Sequence, residues 1–293
     1  MPELPETETI ARDLDAALRG TTLGPPDIRR SDVLRGELQT DRFSARTSGH
    51  PITRVWRRAK LVVLDLGGGD RLVVQPRFTG ALVLARETTH PRPSSLGGAQ
   101  HDAVGTLDDP FLCVVWPLSD GRTLAYRDVR RLGTVALLDP ASWVSYEAGL
   151  GPEPLGPDFT PESLSAILRA SRQPVKAVLM DQRRLAGVGN IYATEALWRA
   201  AIDPSREARR VARDAEAVAR LHGAVRGVLT ESIALRGTTF RDYRDAYGGT
   251  GGFAAHLQTY GRADAPCARC GRRLVGTHAI DGRMTVFCPT CQA

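Results

Sequence analysis

The chain has 293 residues, of which 42% are hydrophobic and 25% are charged, so it is long enough for two folded domains and has an ordinary globular composition. It contains no run of about 18 apolar residues, and its acidic N-terminus lacks the apolar stretch of a signal peptide, so we expect neither a membrane span nor secretion. The formal net charge of +6 fits an acidic partner such as a nucleic acid, although only two of the 39 basic residues are lysine, Lys60 and Lys176.

The N-terminus predicts a helix that begins close to a reactive amine. Ile10, Leu14 and Leu18 recur every four residues, which is the spacing of one helix face. Once Met1 is removed, Pro2 carries a secondary amine that is less basic than a lysine side chain, and a neutral amine can attack a carbonyl carbon to form a Schiff base. The alternative is that Pro2 only begins the helix, where proline is common.

Short β-forming runs separated by glycine turns follow the helix and predict an antiparallel sandwich or barrel. The clearest runs cover residues 53–57, 61–66, 71–75, 81–84 and 134–138. Residues 90–109 are rich in proline, glycine and serine and predict a long loop. Cys113 lies alone in an apolar run and is interpreted as a buried thiol, which fits a reducing cytoplasm.

A segment rich in proline and glycine, residues 150–161, predicts a domain boundary, and helical patterns follow it to about residue 235. Gly187 is placed to end one helix and Asn190 to cap the next, which gives a helix–two-turn–helix. Free N–H groups at Gly189 and Asn190 would form a cradle for a phosphate, although such helix pairs are often purely structural. Lys176 lies one helix earlier, on the polar side.

The last part of the chain predicts a zinc ribbon. Two Cys-x-x-Cys pairs, Cys267 with Cys270 and Cys288 with Cys291, are separated by seventeen residues, which matches one structural Zn²⁺ held by four thiolates. An Asp-Gly turn between the pairs predicts a hairpin that exposes Arg283. Residues 237–253, rich in glycine and tyrosine, predict either a loop that closes over a ligand or a plain linker.

Several segments in this order resemble the formamidopyrimidine-DNA glycosylase / endonuclease VIII family, and the resemblance spans nearly the whole chain. The first segment, Pro2-Glu3-Leu4-Pro5-Glu6, is more similar to the formamidopyrimidine branch. The other segments are 57–60, 128–133, 150–155, 180–193, 237–239, 260–262 and the ribbon up to residue 292.

The resemblance implies an α+β fold with three segments. Residues 1–140 would form a catalytic N-terminal antiparallel β-sandwich flanked by helices, and 150–236 a helical helix–two-turn–helix domain that binds DNA. Residues 237–293 would supply a lesion-covering loop and the zinc ribbon. The implied protein is a monomer that acts on damaged double-stranded DNA in the bacterial cytoplasm, is associated with the nucleoid through that DNA, and has no membrane partner.

The resemblance also implies a catalytic role for each of five residues. Pro2 would attack C1′ of the damaged nucleotide, and Glu3 would handle protons during base loss and sugar-ring opening. Lys60 would bind phosphate and assist β-elimination, and Arg283 would bind the phosphates beside the lesion and assist δ-elimination. Glu6 would lie at the floor of the pocket that receives the extruded base.

Further positions matched to the family imply contacts with DNA. Phe78, Arg130 and Leu132 would fill the gap that the extruded base leaves, with Phe78 replacing a methionine of the family and Leu132 a phenylalanine. The remaining implied contacts are Lys176, Asn190, Tyr260 and His101. The family's His-Asp-His phosphate contact is only half present here, and a different placement of gaps puts Phe111 in the slot of His101.

The implied function is a bifunctional DNA glycosylase/AP lyase that excises oxidised purines, such as 8-oxoguanine and formamidopyrimidines, and then cleaves the strand by β,δ-elimination. Two alternatives stay open at this point. One is an enzyme of the same family for oxidised pyrimidines or another lesion, and the other is a non-catalytic protein that binds damaged DNA.

Overall fold

The computed structural model describes residues 2–36, 40–85 and 106–293. The chain forms two compact units, one of Met1–Glu147 with Leu235–Gly252 and one of Ala148–Ala234 with Phe253–Ala293. The first division lies between Glu147 and Ala148, just before the proline- and glycine-rich segment 150–161. Residues 237–252 belong to the first unit, and the ribbon belongs to the second. No helix in the described residues is long and apolar enough to cross a membrane.

The described residues of the first unit form two β-sheets that share one hydrophobic core. The strands are β1 Asp27–Ile28, β2 Leu34–Arg35, β3 Ile52–Arg58, β4 Leu61–Leu66, β5 Arg71–Gln75, β6 Gly80–Ala85, β7 Leu112–Pro117, β8 Thr123–Asp128 and β9 Thr134–Leu138. Four of these strands form one sheet in the order β1-β7-β8-β6, and five form the other in the order β2-β9-β5-β4-β3. The pairing is antiparallel except between β2 and β9.

All five predicted strands are confirmed as β3, β4, β5, β6 and β9. Their apolar side chains are buried because they meet the facing sheet and a helix in one cluster, which includes Val62, Leu82 and Trp116. This is the predicted sandwich. Most of the predicted long loop, 90–109, falls outside the described residues. Cys113 is buried in the same cluster, as predicted, and burial raises the pKa of its thiol to about 11.

Among the described residues, three helices flank the sandwich: α1 Leu4–Leu18, α2 Thr40–Thr47 and α3 Pro140–Glu147. Helix α1 buries Ile10, Leu14 and Leu18 completely, which confirms the predicted apolar face. Glu3 is its N-cap, and proline lies in its first turn, where the missing N–H has no partner to lose. The helix therefore holds the N-terminal residues in one defined position against the sandwich.

The second unit is helical and carries a β-hairpin. Its helices are α4 Pro161–Arg169, α5 Val175–Met180, α6 Asn190–Ala200, α7 Ala208–Val211 and α8 Ala215–Ala234, and its hairpin strands are β10 Val275–Thr277 and β11 Thr285–Phe287. Helix α6 is almost wholly buried and packs on α8, where the hydroxyls of Tyr192 and Ser232 lie 2.7 Å apart. Thr160 caps α4 by accepting the N–H of Ser163 at 3.2 Å.

Candidate active site and nucleic-acid interface

The first turn of α1 gathers two buried carboxylates behind Pro2. Glu3 and Glu6 are 1% and 0% exposed, and they form a capping box in which each side chain accepts the other residue's backbone N–H. The Glu3 N–H lies 2.8 Å from Glu6 Oε2. Pro2 itself is also buried. The residues predicted to carry the chemistry therefore share one rigid helix start.

The other carboxylate oxygen of Glu6 accepts a hydrogen bond from segment 237–253, which the sequence predicts to be either a closing loop or a plain linker. The backbone N–H of Thr238 donates to Glu6 Oε1 at 2.7 Å. Gly237 adopts a φ of +87°, and a Cβ there would lie 3.0 Å from Glu6, so a side chain would disturb the contact. Glu6 thus links the start of α1 to segment 237–253 within the first unit.

Lys60 lies in the two-residue turn between β3 and β4. Ala59 reaches a φ of +53° there, and the Arg57 side chain donates to the Ala59 carbonyl at 3.1 Å. The same guanidinium donates to Glu8 on α1 at 2.7 Å, and both side chains are largely buried. This contact ties the turn that carries Lys60 to the helix that carries Pro2.

Two contacts between β3 and α1 decide which end of the helix the turn lies near. The Val55 N–H donates to Asp15 at 2.7 Å, and Arg57, two residues later, donates to Glu8. As the strand advances it moves toward the N-terminus of the helix. The turn at Lys60 therefore lies at the same end of α1 as Pro2, and the structure brings these predicted catalytic residues together.

The three predicted wedge residues also lie together. Phe78 occupies the turn between β5 and β6 and is 45% exposed, and Leu132 is 37% exposed in the turn after β8. Arg130, in the same turn as Leu132, places its guanidinium carbon 5.2 Å from the centre of the Phe78 ring. The two turns thus present two exposed apolar side chains and one cation on the surface of the first unit.

Lys176 requires a correction, because its side chain has no exposed surface. Its ammonium group donates to Asp281 at 2.9 Å and to the Thr285 hydroxyl at 2.7 Å. Charged side chains are rarely buried unless they are paired, and here the partner is the hairpin of the ribbon. The expected direct phosphate contact is therefore replaced by a support for the hairpin tip.

Arg283 is exposed at that tip, as predicted, and the Asp-Gly turn forms with Gly282 at a φ of +77°. The backbone N–H of Arg283 donates to Asp281 at 3.0 Å. Asp281 therefore accepts hydrogen bonds from both Lys176 and the backbone of Arg283. These hydrogen bonds of Asp281 stabilise the conformation of the turn that contains the exposed Arg283.

Asn190 also differs in detail from its predicted role as a cap. Gly189 is the N-cap of α6, and Asn190 is the first helical residue. The Asn190 side-chain amide donates to the Met284 carbonyl at 3.0 Å, so it contacts the same hairpin. Gly187 lies inside the connection, not at a helix end, and its N–H donates to Gln182 at 2.8 Å. The helix–two-turn–helix is nevertheless present.

The four ribbon cysteines converge as predicted. Their Sγ atoms all lie within 4.8 Å of one another, with 4.0 Å between Cys267 and Cys291 and 3.6 Å between Cys270 and Cys288. Tetrahedral Zn–S bonds of about 2.3 Å require sulfur separations of about 3.8 Å, so these residues fit such an ion. Burial opposes ionisation of Cys267, but backbone N–H donors from Arg269 and Cys270 lower its pKa to about 6.

The ribbon is attached to α6 by contacts that the sequence did not indicate. The Arg269 guanidinium lies 4.1 Å from the centre of the Trp198 ring and donates to the Trp198 carbonyl at 2.8 Å. Glu195, fully buried, accepts the N–H groups of Thr259 and Tyr260 at 2.9 and 2.8 Å. The sequence feature that could have pointed to a buried role for Glu195 is its position within an apolar helical run. Tyr260 is half-buried, and its backbone is fixed by this contact.

His101 lies outside the described residues. Phe111, the alternative for that slot, directly precedes β7, and the Arg127 guanidinium carbon is 5.7 Å from the centre of its ring.

Asp128 is included in the sequence analysis only as the first residue of the matched segment 128–133. It is buried directly beneath the wedge turns, and the sequence signal was no more than an aspartate at a strand end.

Family models and known proteins match this chain over its length. Residues 1–135 match the formamidopyrimidine-DNA glycosylase N-terminal domain and residues 150–244 the formamidopyrimidine-DNA glycosylase H2TH domain. The formamidopyrimidine-DNA glycosylase of Thermomicrobium roseum is 41% identical over all of this chain and 99% of its own, and that of Chloroflexus aggregans is 38% identical over 100% and 98%.

Two solved structures show the same architecture. The MutM (Fpg) protein of Thermus thermophilus superposes with a TM-score of 0.82 at 37% identity, covering 99% of this chain and 98% of its own. A Lactococcus lactis Fpg mutant in complex with DNA that contains Fapy-dG gives a TM-score of 0.85 at 29% identity, covering 99% of each chain.

The sandwich, the helix–two-turn–helix and the four-cysteine ribbon, together with these matches, place the chain in the class of DNA-repair glycosylases. Within that class, the chain belongs to the formamidopyrimidine-DNA glycosylase family. This confirms the resemblance and the predicted α+β fold, and it identifies the chain as an enzyme of the glycosylase type.

Proposed function

We propose that the protein is a bifunctional DNA glycosylase/AP lyase for oxidised purines, such as 8-oxoguanine and formamidopyrimidines, which acts as a monomer on damaged duplex DNA in the cytoplasm and on the nucleoid. The observation that carries the proposal is the capped helix start. There, Pro2 adjoins two buried carboxylates, and the β3–β4 turn that contains Lys60 lies toward the same end of α1. Membership of the family supports the substrate class.

The chemistry begins at the Pro2 amine, which is free once Met1 is removed. Its nitrogen attacks C1′ of an extruded nucleotide, the glycosidic bond breaks, and the base leaves with a proton. Glu3 supplies a proton to the ring oxygen as the sugar opens to a Schiff base. Loss of a C2′ proton then expels the 3′ phosphate in β-elimination, and δ-elimination expels the 5′ phosphate.

The basic residues assist these steps. Lys60 binds a phosphate and helps the proton transfer of β-elimination, and Arg283 binds phosphate and assists δ-elimination. Asn190 contributes to backbone binding beside the hairpin, and Phe78, Arg130 and Leu132 fill the gap in the duplex. One Zn²⁺ on the four thiolates would hold the hairpin, and its full set of protein ligands gives it a structural role.

Borohydride trapping tests the nucleophile. The wild-type protein should form a covalent adduct with a duplex that contains 8-oxoguanine opposite cytosine, because borohydride reduces the Schiff base. Pro2→Gly should lower base excision by a factor of about 100 or more, since it replaces the secondary amine and its fixed ring, while DNA affinity falls far less. Val144→Ala, which shortens an exposed side chain on α3, is the control.

Full excision by Pro2→Gly would contradict the nucleophile assignment. If the wild type binds damaged duplexes tightly but forms no adduct with either 8-oxoguanine or an abasic site, the protein is a non-catalytic binder.

The wedge residues raise the question of which damaged bases the enzyme excises, and this can be tested. Phe78 and Leu132 exchange the positions of ring and aliphatic side chain relative to the family pattern, which keeps the inserted volume similar but changes what faces the opposite base. Excision rates on a panel of single-lesion duplexes, each with all four opposite bases, should be highest for oxidised purines. Higher rates on oxidised pyrimidines would assign the alternative substrate class.

A further inference from the structure

The two turns that carry the wedge residues are joined beneath the surface by one carboxylate. The first turn spans 76–80 and carries Phe78, and the second spans 129–133 and carries Arg130 and Leu132. Asp128 ends β8 between them and is 1% exposed. Both turns connect the same two sheets, and the strands at their ends pair with each other, Gln75 with Thr134 and Gly80 with Asp128. Between these pairs the turns leave the sheets, so their position there depends on contacts such as those of Asp128.

Asp128 accepts hydrogen bonds from both turns. One oxygen accepts the Thr79 hydroxyl and the Arg130 N–H, the latter at 3.2 Å. The other oxygen accepts the Gly133 N–H at 2.7 Å and the Tyr126 hydroxyl at 3.2 Å. The Arg130 N–H also lies 3.0 Å from the Thr79 hydroxyl, which closes a triangle of contacts.

Packing around Asp128 leaves the turns little freedom to shift. A Cβ on Gly133 would lie 2.0 Å from the Tyr126 hydroxyl and 2.6 Å from the Gln75 carbonyl, so only glycine fits. Gly80 meets the same hydroxyl, where a Cβ would lie at 2.7 Å. Burial, together with the Asp128 charge, raises the pKa of Tyr126 far above its usual value, so its hydroxyl stays protonated and donates.

We propose that Asp128 is a positioning residue that presents the wedge in its inserted arrangement before DNA is bound. This rests on the proposed function, in which Phe78, Arg130 and Leu132 fill the duplex. Asp128 is buried and acts through Thr79 and the backbone of Arg130 and Gly133. Holding the exposed side chains in place beforehand lowers the entropy that insertion removes, so base extrusion becomes faster.

The test compares Asp128→Asn and Thr79→Val with Thr79→Ser. Valine matches the shape of threonine but removes the hydroxyl, whereas serine keeps it. Single-turnover excision on an 8-oxoguanine duplex should slow about tenfold or more in Asp128→Asn and Thr79→Val, as expected for lost buried hydrogen bonds. Thr79→Ser should stay within about twofold of the wild type, because its hydroxyl can still donate to Asp128.

Two further measurements separate positioning from general damage. Strand cleavage at a preformed abasic site should change less than about threefold, because no base has to be unstacked. Fluorescence of 2-aminopurine placed opposite the lesion should report slower insertion in the two defective variants. Asp139→Asn is the matched control, because Asp139 also accepts a backbone N–H in this unit, from Ser142 at 2.7 Å, but lies at the start of α3.

Wild-type excision and fluorescence in folded Asp128→Asn and Thr79→Val would overturn the proposal, and so would equal losses on the lesion and abasic substrates. If Asp128→Asn fails to fold, Thr79→Val decides the question alone. Failure of the proposed function would appear differently, as absence of trapping and excision in the wild type.

Discussion

At the scale of single residues, Lys176 shows how burial changes a role. One of only two lysines in the chain, it was the natural candidate for a phosphate contact, yet its ammonium group is enclosed by Asp281 and Thr285. The energetic value of this ion pair depends on both partners, because removing one leaves an uncompensated buried charge. We therefore expect Lys176 to act on DNA binding only indirectly, through the turn that carries Arg283.

A double-mutant cycle tests this role of Lys176. Lys176→Met and Asp281→Asn should each weaken DNA binding and the δ-elimination step by about tenfold, because either change frees the turn beneath Arg283. The double variant should be little worse than either one, since both remove the same contact. Affinity by fluorescence anisotropy at fixed salt and the ratio of β- to δ-elimination products measure this.

The competing role for Lys176 gives a different pattern. If Lys176 contacted phosphate directly, Lys176→Met would weaken DNA binding. Asp281→Asn would then bind DNA as well as the wild type or more tightly. Arg272→Met, which removes an exposed ribbon charge, is the control for a general loss of positive charge.

At the scale of elements, the ribbon is a short hairpin beside four cysteines that could hold a metal ion. Strands β10 and β11 have three residues each, which is too short for a hairpin to be stable alone in water. Its small core joins Leu274 and Val286 to Trp198 and to two of the cysteines. Four clustered thiolates repel one another, so a divalent cation at their centre stabilises the arrangement.

Removal of the metal should therefore release the hairpin. Titration with an organomercurial should liberate one Zn²⁺ per chain and weaken DNA binding by about tenfold or more, because Arg283 and its turn lose their support. Far-UV circular dichroism should change little, since the helices of the second unit keep their packing. A chromophoric chelator measures the released ion.

Cys113→Ala should give the same titration as the wild type, because its thiol is buried in the sandwich with a pKa raised to about 11. Unchanged DNA affinity in a sample shown to be metal-free would contradict the role of the ribbon.

At the scale of the whole molecule, buried ion pairs in the first unit link its stability to pH. Burial alone would raise the pKa of Glu8, but the charge and hydrogen bond of Arg57, with those of Arg12, bring it below its usual 4.5. A carboxyl group with a lowered folded-state pKa stabilises the folded protein above the unfolded-state pKa. That stability is lost as the pH falls through the folded-state pKa.

The free energy of unfolding should accordingly fall as the pH drops below about 4.5, and part of this fall belongs to Glu8. In Glu8→Gln the protein should be less stable near pH 7, and the difference from the wild type should narrow as the pH decreases. Urea unfolding between pH 3 and 7, followed by tryptophan fluorescence, measures both. A difference that stays constant with pH would exclude Glu8 as the titrating group, and Arg12→Gln, which removes only the exposed partner, should show a smaller effect.

The sequence by itself determined the local elements and the ligand set. The repeat of Ile10, Leu14 and Leu18 predicts α1, and the short β-forming runs predict the strands. The cysteine spacing predicts the cluster of four thiols that could hold a metal ion. These features could be predicted because helix faces, strand runs and knuckles depend on residues close together in the chain. The matched positions of Pro2, Glu3 and Lys60 could be predicted only through the family resemblance.

Only the tertiary structure decided which residues support the functional ones. Lys176 lies 105 residues before Asp281, and Thr79 lies 49 residues before Asp128, so no local pattern couples them. Burial and hydrogen-bond partners arise when distant elements pack, and these determine whether a charge meets DNA or another side chain. For that reason the sequence indicated the chemistry of this glycosylase, whereas the supporting roles that we propose for Asp128, Asp281 and Lys176 rest on contacts that only the fold reveals.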